Sequence, residues 1–502
     1  MKQLIAEGHR AFAAGQYPDA AKAFGVALAK YTKADVTWLR CGRWLVAVGE
    51  KLRAKRTEEQ ARQYRAFHSN LSAIREQMLS DIVARREKRF GVESGRLLAP
   101  LKELFVLIER RFYHACYRGF SCDDICKAIQ PLYERVEKLY AQLLVVAHKA
   151  HQPRSAELAE DLKLMIQYHR MGSGRPHLGI PIAHQVLDIY RHLMAEEDAL
   201  HPKVDEPEID FGNMPTTAEG LQEFSRKLAA YSKAREQNEK RKNWEPAVHL
   251  AQAQVAELLQ MSKQHRTAAE TYESLIGTLL DPTSKMSLPL YHMMAGQARA
   301  DAGDKDLAVE HLRKAVEISG QPNAITRALG GAQNPIDALY IEYYGKALMG
   351  VGKLKEARQQ LLRAMQLRQS DPQKQHFLTM SYGLLITLAE CELQLGNWAE
   401  AESIARQYLP VPGSDHTTTT VQLQVAFAAV LLVLGATDAK DIAASAIDAV
   451  RGFRGYQLGG LAAAHLPKLE AAIAKTDDTN LNDKLKAVHD HIKHQVWSPP
   501  AQ

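Results

Sequence analysis

Five cysteines in 502 residues, at positions 41, 116, 122, 126 and 391, are too few and too scattered for a disulfide framework. They fit a reducing compartment. Long hydrophobic runs are also missing. The longest, Val425 to Ala436, falls well short of the roughly 20 residues that cross a bilayer. The start of the chain, where Lys2 precedes Glu7, His9 and Arg10, has no secretory apolar segment, so a cytoplasmic location is expected. Alternating β-branched runs are scarce, which argues against a sheet. Neither sign of charge dominates: 64 basic side chains face 58 acidic ones, for a net +6. The pI near 8.8 stops just short of the strongly basic range of nucleic-acid modules. Catalytic signatures are absent too. Neither the paired-histidine zinc motif nor a serine elbow occurs, and the three glycines of residues 171–181 have no preceding strand and no phosphate-loop spacing. That stretch reads as a turn, and no cofactor is expected.

What is present is a helical rhythm nearly everywhere, in a chain that is 46% hydrophobic and 24% charged. Gly8, Gly15, Ala20 and Ala27 alternate with Leu4, Phe12, Tyr17, Phe24 and Leu28. Two antiparallel helices that cross closely need small residues at the crossing and bulky ones beside it. Trp38, Gly42, Leu45 and Gly49 carry the phase half a unit further. The same spacing returns in Gly296, Gly303, Ala308, Leu312 and Ala315, and again in Gly345, Gly352, Leu354, Ala357, Leu361 and Ala364. Ala389, Gly396, Trp398 and Ala401 give another copy. Ala256, Ala268 and Tyr272 suggest a weak earlier one, and Gly435 a later one.

This pattern resembles the tetratricopeptide repeat (TPR), a helix-turn-helix unit of about 34 residues. The expected fold is therefore all-α, a TPR-like α-α superhelix or solenoid with a non-repeat region of long helices in its middle. Successive turn glycines at 303, 352, 396 and 435 lie 49, 44 and 39 residues apart, so the helices or the loops are longer than the family norm. The expected organisation is an N-terminal repeat with following helices at 1–90, long helices at 91–200, an acidic and proline-rich linker at 201–217, a C-terminal array at 218–460, and capping helices with a tail at 461–502. Within 91–200, Pro131 should bend or restart its helix. Leu132, Val136, Leu139, Leu143 and Val146 form an apolar seam suited to packing within the chain.

In TPR proteins the first helix of each repeat usually faces the concave groove. By that resemblance His292, Gln297, Glu342, Lys346 and Glu390 are the candidate contacts to a protein or peptide partner. The resemblance also tests one sub-class, the co-chaperones that grip a C-terminal carboxylate with Lys and Asn at the fifth and ninth places. Those places hold Ile5 and His9 in the first repeat, and Met293 and Gln297, Glu342 and Lys346, Ile386 and Glu390 in the second array, so no such clamp can be assembled. The Met293, Met294, Tyr340, Tyr343 and Tyr344 set reads mainly as core between repeats.

Two further sites are weighed. His114, Cys116, Cys122 and Cys126 lie within thirteen residues, but their spacing matches no zinc finger or ribbon, so they read as packed side chains with no metal expected. Basic clusters at Arg85, Arg86, Lys88 and Arg89, and at Arg235, Lys240, Arg241 and Lys242, could meet a nucleic-acid backbone. Such runs are more often solvated helix faces, and no aromatics suited to base stacking are interleaved with them. The leading expectation is a non-enzymatic scaffold or adaptor that binds a protein or peptide partner as a subunit of a larger assembly, with nucleic-acid association as one alternative and an enzyme or metal protein as the other.

Overall fold

Gly303, Gly352, Gly396 and Gly435 all take left-handed backbone, with φ of +86°, +77°, +78° and +68°. Only glycine adopts that region without a Cβ penalty, and it is what a helix needs to stop and hand over to the next. Each turn closes with the same backbone bond, reaching back five residues: Asp304 N–H to Arg299 O at 2.9 Å, Lys353 to Leu348 at 2.9 Å, Asn397 to Glu392 at 2.9 Å and Ala436 to Leu431 at 3.1 Å. Lys263 makes a fifth turn of this kind, at φ +61°, with Gln264 N–H on Leu259 O at 2.9 Å.

The structure is a computed structural model. It describes residues 75–117, 122–171, 175–202, 204, 217–240, 243–279, 287–320, 335–369, 377–410, 418–452, 465–476 and 478–495, with isolated positions between 3 and 23. The N-terminal repeat and most of the 201–217 linker lie outside the described residues. The described residues are helical, with no strand among them. None of the helices is long and apolar enough to cross a membrane. The chain divides into two compact units, Met1–Phe112 with Pro131–Gln152, and Tyr113–Gln130 with Pro153–Gln502.

Helix α1 (75–90) leads through a tight turn into α2 (Leu98–Tyr117), and α3 (Cys122–Ala150) follows; the first unit holds α1, α2 as far as Phe112 and α3 from Pro131. Leu101, Phe105, Ile108 and Phe112 are buried, as are Val136, Leu139, Leu143 and Val146, so the seam packs within the chain. Glu76, itself buried, is gripped by Arg111 and Arg135. The restart expected at Pro131 does not occur. α3 runs through it, because the proline lies on the exposed side while Ile129 and Tyr133 hold the buried side in register.

The second unit is a stack of hairpins. Helices α4 (Ala156–Met171) and α5 (Pro176–Leu200) pair, and α5 packs on α7 (Glu245–Met261). Gly179 permits that approach, since a Cβ there would stand 2.9 Å from His169 Cβ and 3.1 Å from Leu258. Helix α6 (Ala218–Lys240) lies between them in sequence and is exposed along most of its length. The hairpins that follow are α7 with α8 (His265–Thr278), α9 (Leu288–Asp301) with α10 (Lys305–Ser319), and α11 (Pro335–Gly350) with α12 (Leu354–Gln369). Then come α13 (Phe377–Leu395) with α14 (Trp398–Tyr408) and α15 (Thr418–Leu434) with α16 (Ala439–Gly452). Helices α17 (Leu466–Ile473) and α18 (Thr479–Gln495) follow, α17 against α15 and α18 against α16. This is a TPR-like α-α repeat stack.

Glycine sets the crossings. A Cβ on Gly296 would stand 2.6 Å from Leu312 Cγ, and one on Gly345 would stand 2.8 Å from Leu361. Helix α15 has no polar side, as its sequence requires, and neighbours enclose it: Val421, Val425, Phe427, Ala428 and Leu431 are fully buried among α13, α14, α16 and α17. First helices approach one another in the order α9, α11, α13, α15, more closely than second helices do.

Candidate functional site

A pocket of about 450 Å³ lies where α7, α9, α10 and α11 meet. Its space exists because the walls carry small residues: Ala300 on α9, Ala308 on α10, and Ala347 and Gly350 on α11. Leu312 and the Tyr343 ring complete the apolar surface, and Gln260, Gln297, Asp301, Lys305 and Lys346 supply the polar groups. The lining follows repeat symmetry. Gln297 and Lys346 each precede their turn glycine by six residues, while Gln260 and Ala300 each precede theirs, Lys263 and Gly303, by three. Each pair thus comes from two neighbouring hairpins, and three hairpins line one cavity.

Lys346 is placed by a buried charge cluster. Its Nζ lies 2.6 Å from Glu342 Oε1 and 5.0 Å from the centre of the Tyr343 ring. The other Glu342 oxygen accepts from Arg368 Nη2 of α12 at 2.7 Å. Room for this cluster comes from α13, where a Cβ on Gly383 would stand 3.2 Å from Glu342 Oε1. One carboxylate thus serves two cations.

The other candidate contacts go elsewhere. Glu390 ion-pairs with Lys468 of α17. His465, at the start of α17, is held below the ordinary imidazole pKa by burial and then by Lys468, with Glu390 and Lys346 also acting on it. His292 does not line the groove. It is buried, with Nδ1 3.0 Å from His311 Nδ1, because α10 brings His311 against it. His311 Nε2 in turn lies 3.1 Å from Glu273 Oε1, and Glu273 accepts from both Nε and Nη2 of Arg299 at 2.8 and 2.7 Å. Burial, then His311, pushes the His292 pKa down to about 4, and burial also lowers that of His311. Arg299 holds Glu273 below the usual carboxylate range. This chain of groups ties α8, α9 and α10 together. Met293 and Tyr340 are buried core, with Met294 and Tyr344 packed against them.

Arg85, Lys88 and Arg89 are exposed on α1, while Arg86 donates to Arg96 O at 2.6 Å. Arg235 and Lys240 fall on α6, in the other unit, without described side chains, and Arg241 and Lys242 lie outside the described residues. His114 and Cys116 fall on α2 and Cys122 and Cys126 on α3, again without described side chains. Among the described residues no three His, Cys, Asp or Glu side chains converge as a metal site.

Of the sequence candidates, Gln297 and Lys346 line this pocket; Gln260, Asp301 and Lys305 also line it and are not among those candidates. Their signal was positional: Gln260 and Asp301 sit just ahead of turn residues, and Lys305 just after one.

Repeated turn closure and glycine crossings define a TPR-like helical-repeat fold. No protein-family model and no curated protein matches the sequence. Among solved structures it is similar to apo RapI at 13% identity, over 78% of this chain and 98% of that one, with a TM-score of 0.37. The apo quorum sensor NprR from B. thuringiensis follows at 12% identity, over 75% and 97% of the chains, with a TM-score of 0.33. A chain of the APC/C Cut9–Hcn1 hetero-tetramer aligns at 14% identity, over 97% and 96%, with a TM-score of 0.29.

Proposed function

We propose that this chain is a non-enzymatic scaffold that holds a protein or peptide partner on the inner face of its C-terminal stack, as a subunit of a larger assembly. One observation supports the reading: three successive hairpins line one open, mainly apolar pocket, in which Gln260 matches Ala300 and Gln297 matches Lys346 in repeat position. A fold of this kind hosts many roles, so the site rather than the architecture must carry the assignment. Pockets of roughly 300–1,000 Å³ with a few placed polar groups are the usual form of a binding site. Binding energy should concentrate in one or two anchors seated there.

The test is affinity purification of the tagged full chain from its native cell, beside the Ala300→Trp variant. Ala300 is exposed on α9, so a tryptophan there fills the pocket from its rim with little demand on the core. A stoichiometric protein partner that accompanies the wild type and is lost from the variant is the expected result. A wild type that purifies as a lone monomer, or a partner retained by the variant, contradicts the reading.

A further inference from the structure

Between α5 and α7 the chain sends out a helix that its own core hardly uses. Every residue of α6 from Glu219 to Lys233 is exposed except Gly220, Phe224 and Tyr231, which are half-buried, and no other described helix packs along it. Leu221 and Leu228 stand 48% and 38% in solvent. The helix is held at its ends. Thr217 Oγ1 accepts from Gly220 N–H at 3.2 Å, and Asn238 exchanges two hydrogen bonds with the Val204 backbone, at 3.1 and 2.9 Å, near the buried Ala234. We propose that two copies of the chain associate through α6, the two helices lying antiparallel about a two-fold axis level with residue 226. This goes beyond the scaffold reading and does not depend on the pocket.

The need for a cover follows from helix energetics. Backbone bonds alone leave an isolated helix marginal in water, and most of its support comes from packing an apolar face. Leu221, Phe224, Leu228 and Tyr231 follow the alternating three-and-four spacing of a two-helix seam. Gly220, Ser225 and Ser232 beside the seam are small and uncharged, so another helix can come close. Antiparallel pairing level with residue 226 sets Leu221 opposite Tyr231 of the second copy, and Phe224 opposite its Leu228. The surface is then its own complement, as a two-fold interface requires.

Charge selects a second copy over other covers. Along the exposed half of the helix Glu219 and Glu223 balance Arg226 and Lys227. A lipid surface or a nucleic acid draws on an excess of basic side chains, which this half lacks. Lys227 flanks the seam, and its Nζ lies 3.2 Å from Glu223 Oε1, one turn earlier. In the antiparallel pair Lys227 of each copy comes within two residues' rise, about 3 Å, of Glu223 of the other. The four charges then alternate in sign across the two-fold, and Lys233 of each helix stands level with Glu219 of the other, which favours this partner and this direction. A parallel pair would set Lys227 level with Lys227 and bring both Val204 anchors to the same end.

The experiment is sedimentation equilibrium of the purified full chain over a dilution series, with circular dichroism on each variant to show that the helices persist. The wild type should dimerise reversibly. Leu221→Lys combined with Leu228→Lys, both exposed positions, should weaken the dimer at least about tenfold. Gln222→Lys, on the far side of α6, should leave it unchanged. Glu223→Lys and Lys227→Glu should each associate less well alone and recover when mixed, because the mixed pair again sets opposite charges against each other. Under oxidation Ser225→Cys, next to the two-fold, should cross-link two copies above the wild-type level, and Ser232→Cys should not. A chain that stays monomeric at every concentration, leaving α6 to a different partner, overturns the proposal. So do a dimer that the two leucine changes leave intact, a mixture that does not recover, and equal cross-linking from positions 225 and 232.

Discussion

His292 Nδ1 and His311 Nδ1 lie 3.0 Å apart, so one imidazole must donate and the other accept, and a full proton on both breaks the bond. Burial, then His311, takes His292 down to about 4, and burial lowers His311 too, against the opposing pull of Glu273. Glu310 and Lys314 of α10 also act on the pair. In the unfolded chain these rings titrate near 6.5. The unfolded state therefore binds more protons between that value and about 4. Stability is complete above pH 6.5 and is lost as pH falls toward 4. Thermal melting followed by circular dichroism should show a midpoint that declines from pH 7 to pH 5, and His292→Leu should make the decline shallower. A variant with the wild-type slope would refute the assignment.

Gly345 is the tightest test of the packing. Glycine inside a helix normally costs about 0.5–1 kcal/mol relative to alanine, so replacement would ordinarily help. Here a Cβ would stand 2.8 Å from the Leu361 side chain of α12. Gly345→Val should lower stability by roughly 1–3 kcal/mol through overpacking, measured by urea unfolding. Gly350→Ala is the control, since nothing stands within 4 Å of its Cβ position. A neutral Gly345→Val would mean that the hairpins do not cross there.

Lys263 closes the α7–α8 hairpin in the backbone region that its four counterparts fill with glycine. A non-glycine residue pays roughly 1–2 kcal/mol for that conformation. Lys263→Gly should therefore raise stability by up to about 1 kcal/mol, once the greater freedom of glycine in the unfolded chain is subtracted. A destabilised variant would contradict the turn geometry.

These turns also explain how far the sequence could be read. Where the turn residue is glycine and the crossing residue small, as with Gly303 and Gly296 or Gly352 and Gly345, both helices were legible because backbone strain and close approach restrict the choice to very few residues. The α7–α8 hairpin was faint because Lys263 pays its strain in place of a glycine. The α4–α5 hairpin was hidden, since its one tight residue, Gly179, lies inside a helix between two prolines rather than at a repeat position. Gln297 and Lys346 could be found by counting back from their glycines. The rest of the pocket could not, because it is a gap left by Ala300, Ala308, Ala347 and Gly350, and a gap leaves no motif. His292 is a candidate contact by repeat position, and the structure buries it. Adjacent residues on a helix point about 100° apart, and only the arrival of His311 settles which side is enclosed.

Glu342 should matter to stability more than any exposed charge. Only 6% of its side chain is exposed, against 10% for Arg368, and it neutralises Lys346 as well. Removing one member of a buried pair costs about 3–5 kcal/mol, because the partner is left charged and uncompensated. Glu342→Gln should approach that loss in chemical denaturation, and Lys346→Met should cost far less, since Arg368 still pairs the carboxylate. Equal effects of the two variants would show the cluster to be solvated.

The most direct measurement is photo-crosslinking in the native cell from a benzophenone residue placed at Gln297, on the pocket, and separately at Lys355, exposed on α12. Capture of one protein partner from position 297, absent from position 355, is the predicted result. Capture from position 355 with none from 297 would contradict the inner face as the binding surface.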